Sequence, residues 1–164
     1  MAGFRALASS GPSGLKAEAI ARDLGTTKGS FYWHFRDLPD YLARLILLWE
    51  ERGFDGVIAQ LDPLAPPRAR LEQLCTMAVS FDDPSHGGAA LEPALRAWML
   101  ASPDVAKAVA RMDARRLAYL GGLCREAGIE DPNAPDALYA LSVGLETLGV
   151  PDAYRSMQLL LRSL

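Results

Sequence analysis

Apolar residues recur along this chain at spacings of three and four, the period of a helix that buries one face. Phe4, Leu7 and Ala8 share such a face over about residues 2–9. Ala17, Ile20 and Leu24 do so over about 16–24, and Phe31 and Phe35 close a short third helix ending near residue 35. Sustained period-2 alternation rich in Val, Ile and Thr is missing, so strands are not expected. The pattern predicts an all-α chain of about nine helices.

Breakers mark the joints. The run from Ser10 to Gly14 ends the first helix, Gly25 supplies a left-handed turn after the second, and Thr26 or Thr27 caps the third. The first helix has no capping residue before it, which suggests a missing upstream turn. Pro39 suits the first turn of a long fourth helix running to about Leu61, where Pro63, Pro66 and Pro67 break the chain. A fifth helix is expected over about 68–81, then a loop from Asp82 to Gly88. A sixth covers about 89–100 with a break or kink near Pro93. Ser102-Pro103-Asp104 opens a seventh, ended by Gly128. The eighth runs from Asn133 or Pro135 to about Leu148, and the ninth from about Asp152 to Leu164.

Composition is globular: 50% of residues are hydrophobic and 23% charged. No apolar run approaches the roughly 18 residues that a membrane span needs, and the N-terminus has no secretion signal, so a cytoplasmic protein is expected. Cys75 and Cys124 match no zinc or CxxC spacing. The net charge of −3 is unevenly spread. Residues 1–36 hold five basic and two acidic side chains, a balance of +3, which leaves −6 for the rest. A basic head on an acidic body would turn only the head toward nucleic acid.

That head holds the informative stretch, two short helices around one glycine. Ala17, Ile20, Leu24, Phe31 and Phe35 are its expected lock. Between them lie Thr26, Thr27, Lys28, Gly29, Ser30, Tyr32, Trp33 and His34, with no acid among them. Hydroxyls and an ammonium suit phosphates and base edges, and Gly29 allows close backbone approach. A Gly-turned helix pair occurs in other helical proteins, where a lone Tyr or Trp is core and His34 a partly buried histidine bonded to backbone. The run Ala19-Ile20-Ala21-Arg22-Asp23-Leu24-Gly25-Thr26-Thr27-Lys28-Gly29-Ser30-Phe31-Tyr32-Trp33-His34-Phe35 nevertheless resembles the TetR family of regulators over about residues 2–48. The resemblance implies phosphate contacts from Tyr32 and His34. It implies base or nearby backbone contacts from Thr27, Lys28, Gly29 and Trp33, and a phosphate contact from Lys16. Leu38 departs from the lysine common in the family at that position.

An N-terminal three-helix helix-turn-helix domain over 1–45 is therefore expected, with a helical ligand-binding and dimerisation domain over 46–164. Met77, Phe81, Leu95, Trp98, Met99, Met112, Arg115 and Tyr119 are candidates for a small-molecule effector pocket, which the resemblance implies; ordinary core is the alternative. Helices eight and nine carry more apolar surface than one small body covers. Leu138, Leu141, Leu145, Met157, Leu160 and Leu161 are expected at a homodimer interface. The function implied is a DNA-binding transcriptional regulator, a ligand-relieved repressor on a palindromic operator of double-stranded DNA. No nucleophile elbow, phosphate loop or metal-ligand pair suggests an enzyme, and no cofactor or metal is expected. The alternatives are a helical protein-interaction module, or a thiol redox sensor using Cys75 and Cys124, neither with sequence-specific DNA binding.

Overall fold

The structure, a computed structural model, describes residues 1–61, 63, 65–80 and 87–164. Among these every regular element is helical. The first four are α1 (Ala2–Ser10), α2 (Ala17–Asp23), α3 (Lys28–His34) and α4 (Leu38–Glu50). The others are α5 (Pro67–Ala78), α6 (Leu91–Met99), α7 (Pro103–Glu126), α8 (Ala134–Leu148) and α9 (Ala153–Ser163). No helix of the described residues is long and apolar enough to cross a membrane.

The ends follow from local chemistry. Gly25, at φ 65°, takes the left-handed turn after α2. Asp37 Oδ1 accepts from the Asp40 N–H at 2.8 Å to cap α4, and Asp152 Oδ1 caps α9 through Arg155 N–H at 3.1 Å. Pro39, Pro67 and Pro103 lie in first turns, where a missing N–H leaves nothing unsatisfied. The kink expected at Pro93 does not form for the same reason. A 3₁₀ turn occupies Gly88–Ala90 and α6 starts at Leu91, so Pro93 falls in its first turn.

The fourth helix also differs from expectation. It is α-helical to Glu50, continues as a π-helical turn over Glu51–Asp55, and ends with one α-turn at Gly56–Ile58. Three successive residues of that turn are held by α7. The Gly53 carbonyl accepts from Arg116 Nη2 at 3.3 Å, the Phe54 ring lies 4.1 Å from the Arg115 guanidinium, and Asp55 accepts from Arg115 Nη2 at 2.8 Å. Glycines at 53 and 56 weaken α-helical preference here, and the arginines occupy what the wider turn exposes.

The chain forms two compact units. One comprises Met1–Glu51 and Asp82–Val109. Its centre is built from Phe4, Leu7, Ile20, Phe31, Leu45, Trp49 and Leu95, all buried. α1 packs against both α2 and α6. Gly3 allows close approach to α4, since a Cβ there would overlap the Tyr41 hydroxyl and the Leu45 side chain. Trp49 Nε1 donates to Glu92 Oε1 at 3.0 Å, tying α4 to α6. The helix-turn-helix therefore sits in a unit larger than residues 1–45.

The second unit comprises Arg52–Phe81 and Ala110–Leu164. Leu71, Cys75, Leu123, Cys124, Leu138, Leu145, Met157 and Leu161 share its core. Leu138 is fully enclosed there, whereas Leu148 on the same helix is 79% exposed. Leu138→Ala is expected to cost about 2–5 kcal/mol in urea unfolding, and Leu148→Ala under about 0.5 kcal/mol. Equal losses at the two sites would contradict this packing.

Candidate nucleic-acid interface

α3 has seven residues and is held from both ends. Thr27 Oγ1 accepts from the Ser30 N–H at 3.1 Å, so Thr27 and not Thr26 is its cap. Phe31 drives its inner face into the unit, with ring centroids 5.0 Å from Phe35 and 5.2 Å from Tyr41. Phe35 and Tyr41 meet edge to face at 4.8 Å. Inserting Phe31 inward turns the rest of α3 outward.

All eight residues expected to meet DNA are exposed: Lys16, Thr26, Thr27, Lys28, Gly29, Tyr32, Trp33 and His34. Trp33 is 84% exposed and meets His34 edge to face at 5.0 Å, and Tyr32 is 45% exposed. Gly29 has open space, with only Thr27 Oγ1 near, at 3.7 Å from where a Cβ would stand. His34 is thus not the buried histidine of the alternative. Leu38, the departure from the family, opens α4 half-buried, and Arg36 beside it donates to Asp37 Oδ2 at 3.2 Å.

Two details revise the expected lock and charge pattern. Leu24 is not inward but 57% exposed, because α2 ends at Asp23 and the chain is already turning; Ala21 and Leu15 are buried instead. Lys28 donates to Glu18 Oε1 at 2.8 Å. That contact holds the Glu18 carboxyl below its ordinary value and pushes the Lys28 ammonium up. The sequence run around Lys28 contains no acid, so only the placement of α2 against α3 reveals this partner.

The other expected sets are not gathered in the same way. Leu95, Trp98 and Met99 belong to the first unit, while Met77, Met112, Arg115 and Tyr119 belong to the second. Phe81 lies outside the described residues, as does most of the expected Asp82–Gly88 loop. Leu95 and Met112 are fully enclosed, which is core placement, and Arg115 is engaged with Asp55 and Phe54. Of the expected dimer residues, Leu138, Leu145, Met157 and Leu161 are buried within their own unit, with almost no surface left for another chain. Leu141 and Leu160 are half-buried, and Leu148, Tyr154 and Leu159 on the same two helices are exposed. Cys75 and Cys124 are buried in one apolar core. Burial pushes the Cys75 thiol up to about 12 and raises Cys124 also, which suppresses the reactive thiolate that a redox sensor needs.

A capped short helix seated on aromatic rings, with hydroxyl, basic and aromatic side chains outward, has the form and chemistry of the second helix of a helix-turn-helix. Residues 1–37 match the family model described as bacterial regulatory proteins, tetR family. The first 37 residues are thus similar to the N-terminal segment of that family, the resemblance the sequence suggested. The whole fold resembles a protein described as a TetR-family transcriptional regulator from Rhodococcus sp., at 18% identity and TM-score 0.75, covering 99% of this chain and 94% of that one. It also resembles a transcriptional regulator from Rhodococcus sp. Rha1, at 18% identity and TM-score 0.76, covering 99% and 91%. A member of the TetR family from Streptomyces coelicolor A3 matches at 25% identity and TM-score 0.66, covering 98% and 92%. Curated protein sequences give no match.

Thr27 now has a structural task beside any contact with DNA. Thr27→Ala is expected to lower stability by about 1 kcal/mol, while Thr27→Ser retains most of it. Paired urea titrations test this; an alanine variant as stable as the parent would show that the cap contributes nothing.

Proposed function

We propose that this protein is a transcriptional repressor that binds a two-fold symmetric operator as a homodimer and releases it when a small molecule binds. The observation that carries the DNA-binding part is Trp33. A tryptophan left 84% exposed forgoes burial worth several kcal/mol, unless a partner covers it. It stands on the short helix beside Tyr32, His34 and Lys28, side chains suited to phosphate and base edges. In this assignment residues 1–45 read DNA and residues 46–164 supply dimerisation and effector binding, and the protein works in the cytoplasm.

Dimerisation is assigned to α8 and α9. Leu141, Gly144 and Leu148 recur at i, i+3 and i+7 on one α8 face. Leu148 is exposed, and nothing lies within 4 Å of where a Gly144 Cβ would stand. Small and aliphatic residues on one open face suit close packing of a second helix. Effector binding is supported by half-buried Phe54, Met77 and Tyr119 in the second unit, where Phe54 and Tyr119 meet edge to face at 6.0 Å.

Two measurements test the core of this assignment. Fluorescence titration of mixed-sequence duplex at several salt concentrations should show binding that weakens steeply with salt. Trp33→Ala should weaken operator binding by about 1–3 kcal/mol with little change in salt slope. Wild-type protein that ignores every duplex would rule the DNA-binding assignment out. For assembly, Leu148→Asp should yield a monomer in sedimentation at micromolar concentration with its helical circular dichroism intact. A dimer unaffected by that charge would place the interface elsewhere.

A further inference from the structure

Lys28 is the first residue of the recognition helix, and its ammonium is already occupied. Glu18, ten residues earlier on α2, accepts from it at 2.8 Å, and the two side chains are 55% and 71% exposed for lysine and glutamate respectively. The pair therefore joins the two helices of the motif in open solvent. Three of the five cations in the first 36 residues are engaged in this manner: Arg5 with Asp23, Lys28 with Glu18 and Arg36 with Asp37. The head's balance of +3 already subtracts Glu18 and Asp23, and Asp37, just outside the counted stretch, offsets one further cation.

We propose that Glu18 sets how tightly this face holds DNA of any sequence, by occupying the Lys28 ammonium that would otherwise meet a phosphate. The inference rests on the DNA-binding assignment above. Affinity for duplex independent of sequence comes from cations that displace counterions condensed on the backbone. A lysine that stays with its carboxylate displaces none. Exposed ion pairs are weak, so this is a brake and not a block. It acts on the backbone contact alone, so operator and unrelated duplex should feel it equally. Held in this way, less of the protein is retained on DNA that carries no operator.

The test is a double-mutant cycle on the full chain, with a labelled mixed-sequence duplex titrated over a range of potassium chloride. Glu18→Gln keeps the size and hydrogen-bonding reach of the side chain and removes its charge. It should tighten binding about threefold at low salt. It should also steepen the plot of log affinity against log salt by roughly 0.9 per subunit, the value of one added phosphate contact. In the Lys28→Ala background the same substitution should change neither quantity. The proposal is overturned if Glu18→Gln leaves affinity and slope at their wild-type values. It is equally overturned if the tightening persists without Lys28, because the carboxylate would then act on DNA directly. Wild-type protein without any salt-sensitive binding removes the DNA-binding assignment and this proposal together, whereas wild-type binding with an inert Glu18→Gln removes only the proposal.

Discussion

Isolated helices shorter than about 12–15 residues are marginal in water, and α3 has seven. Its shape depends on what Phe31 meets. That ring is buried against Phe35 and Tyr41, and Tyr41 belongs to α4. Tyr41 in turn lies where only glycine fits on α1, at Gly3. The orientation of Tyr32, Trp33 and His34 toward solvent is therefore imposed from behind, through an aromatic stack that fixes which side of a short helix faces inward. Thr27 adds the one hydrogen bond that closes its first turn. Without that seating the same side chains would hang from a flexible segment, and ordering them on DNA would consume much of the contact energy.

The same economy of short elements explains the charges of the head. Few carboxylates occur in the first 36 residues, and both are placed against cations of a neighbouring helix: Glu18 against Lys28 and Asp23 against Arg5. Such exposed pairs add little stability. Their larger effect is on the field that the surface presents, since each cancels a charge that long-range steering would use.

Much of the helical layout was legible because punctuation is local chemistry. Gly25, Pro39, Pro67, Pro103 and Gly149 each act within one turn of the chain, and the helices begin or end beside them. The exposure of the side chains around α3 was legible for a similar reason: a run of hydroxyl, basic and aromatic residues with two phenylalanines at helical spacing names its own inner and outer sides. What failed depends on neighbours distant in sequence. The π-helical turn at Glu51–Asp55 is held by Arg115 and Arg116, some 60 residues away. Leu24 looks inward by periodicity, yet its helix has ended before it. Leu138 and Leu145 looked surplus because α8 is apolar on most sides, but periodicity does not say which side its own unit covers. The grouping of α6 with α1 likewise has no signature in either helix alone.

The large apolar side chains that stay uncovered are of two chemical kinds, and the difference bears on what could cover them. Trp33 and Tyr32 combine broad rings with an N–H and an O–H, and hydroxyl, amine and imidazole groups surround them in sequence. A covering surface must then offer hydrogen-bond acceptors together with flat or methyl-bearing faces, which is the character of a DNA groove. Leu148 and Leu159 carry no polar atom in their side chains, and Gly144 lies one turn before Leu148. A polar partner would gain nothing there, because its groups would lose water without acquiring a bond. An aliphatic helix face with small residues of its own would gain from every contact.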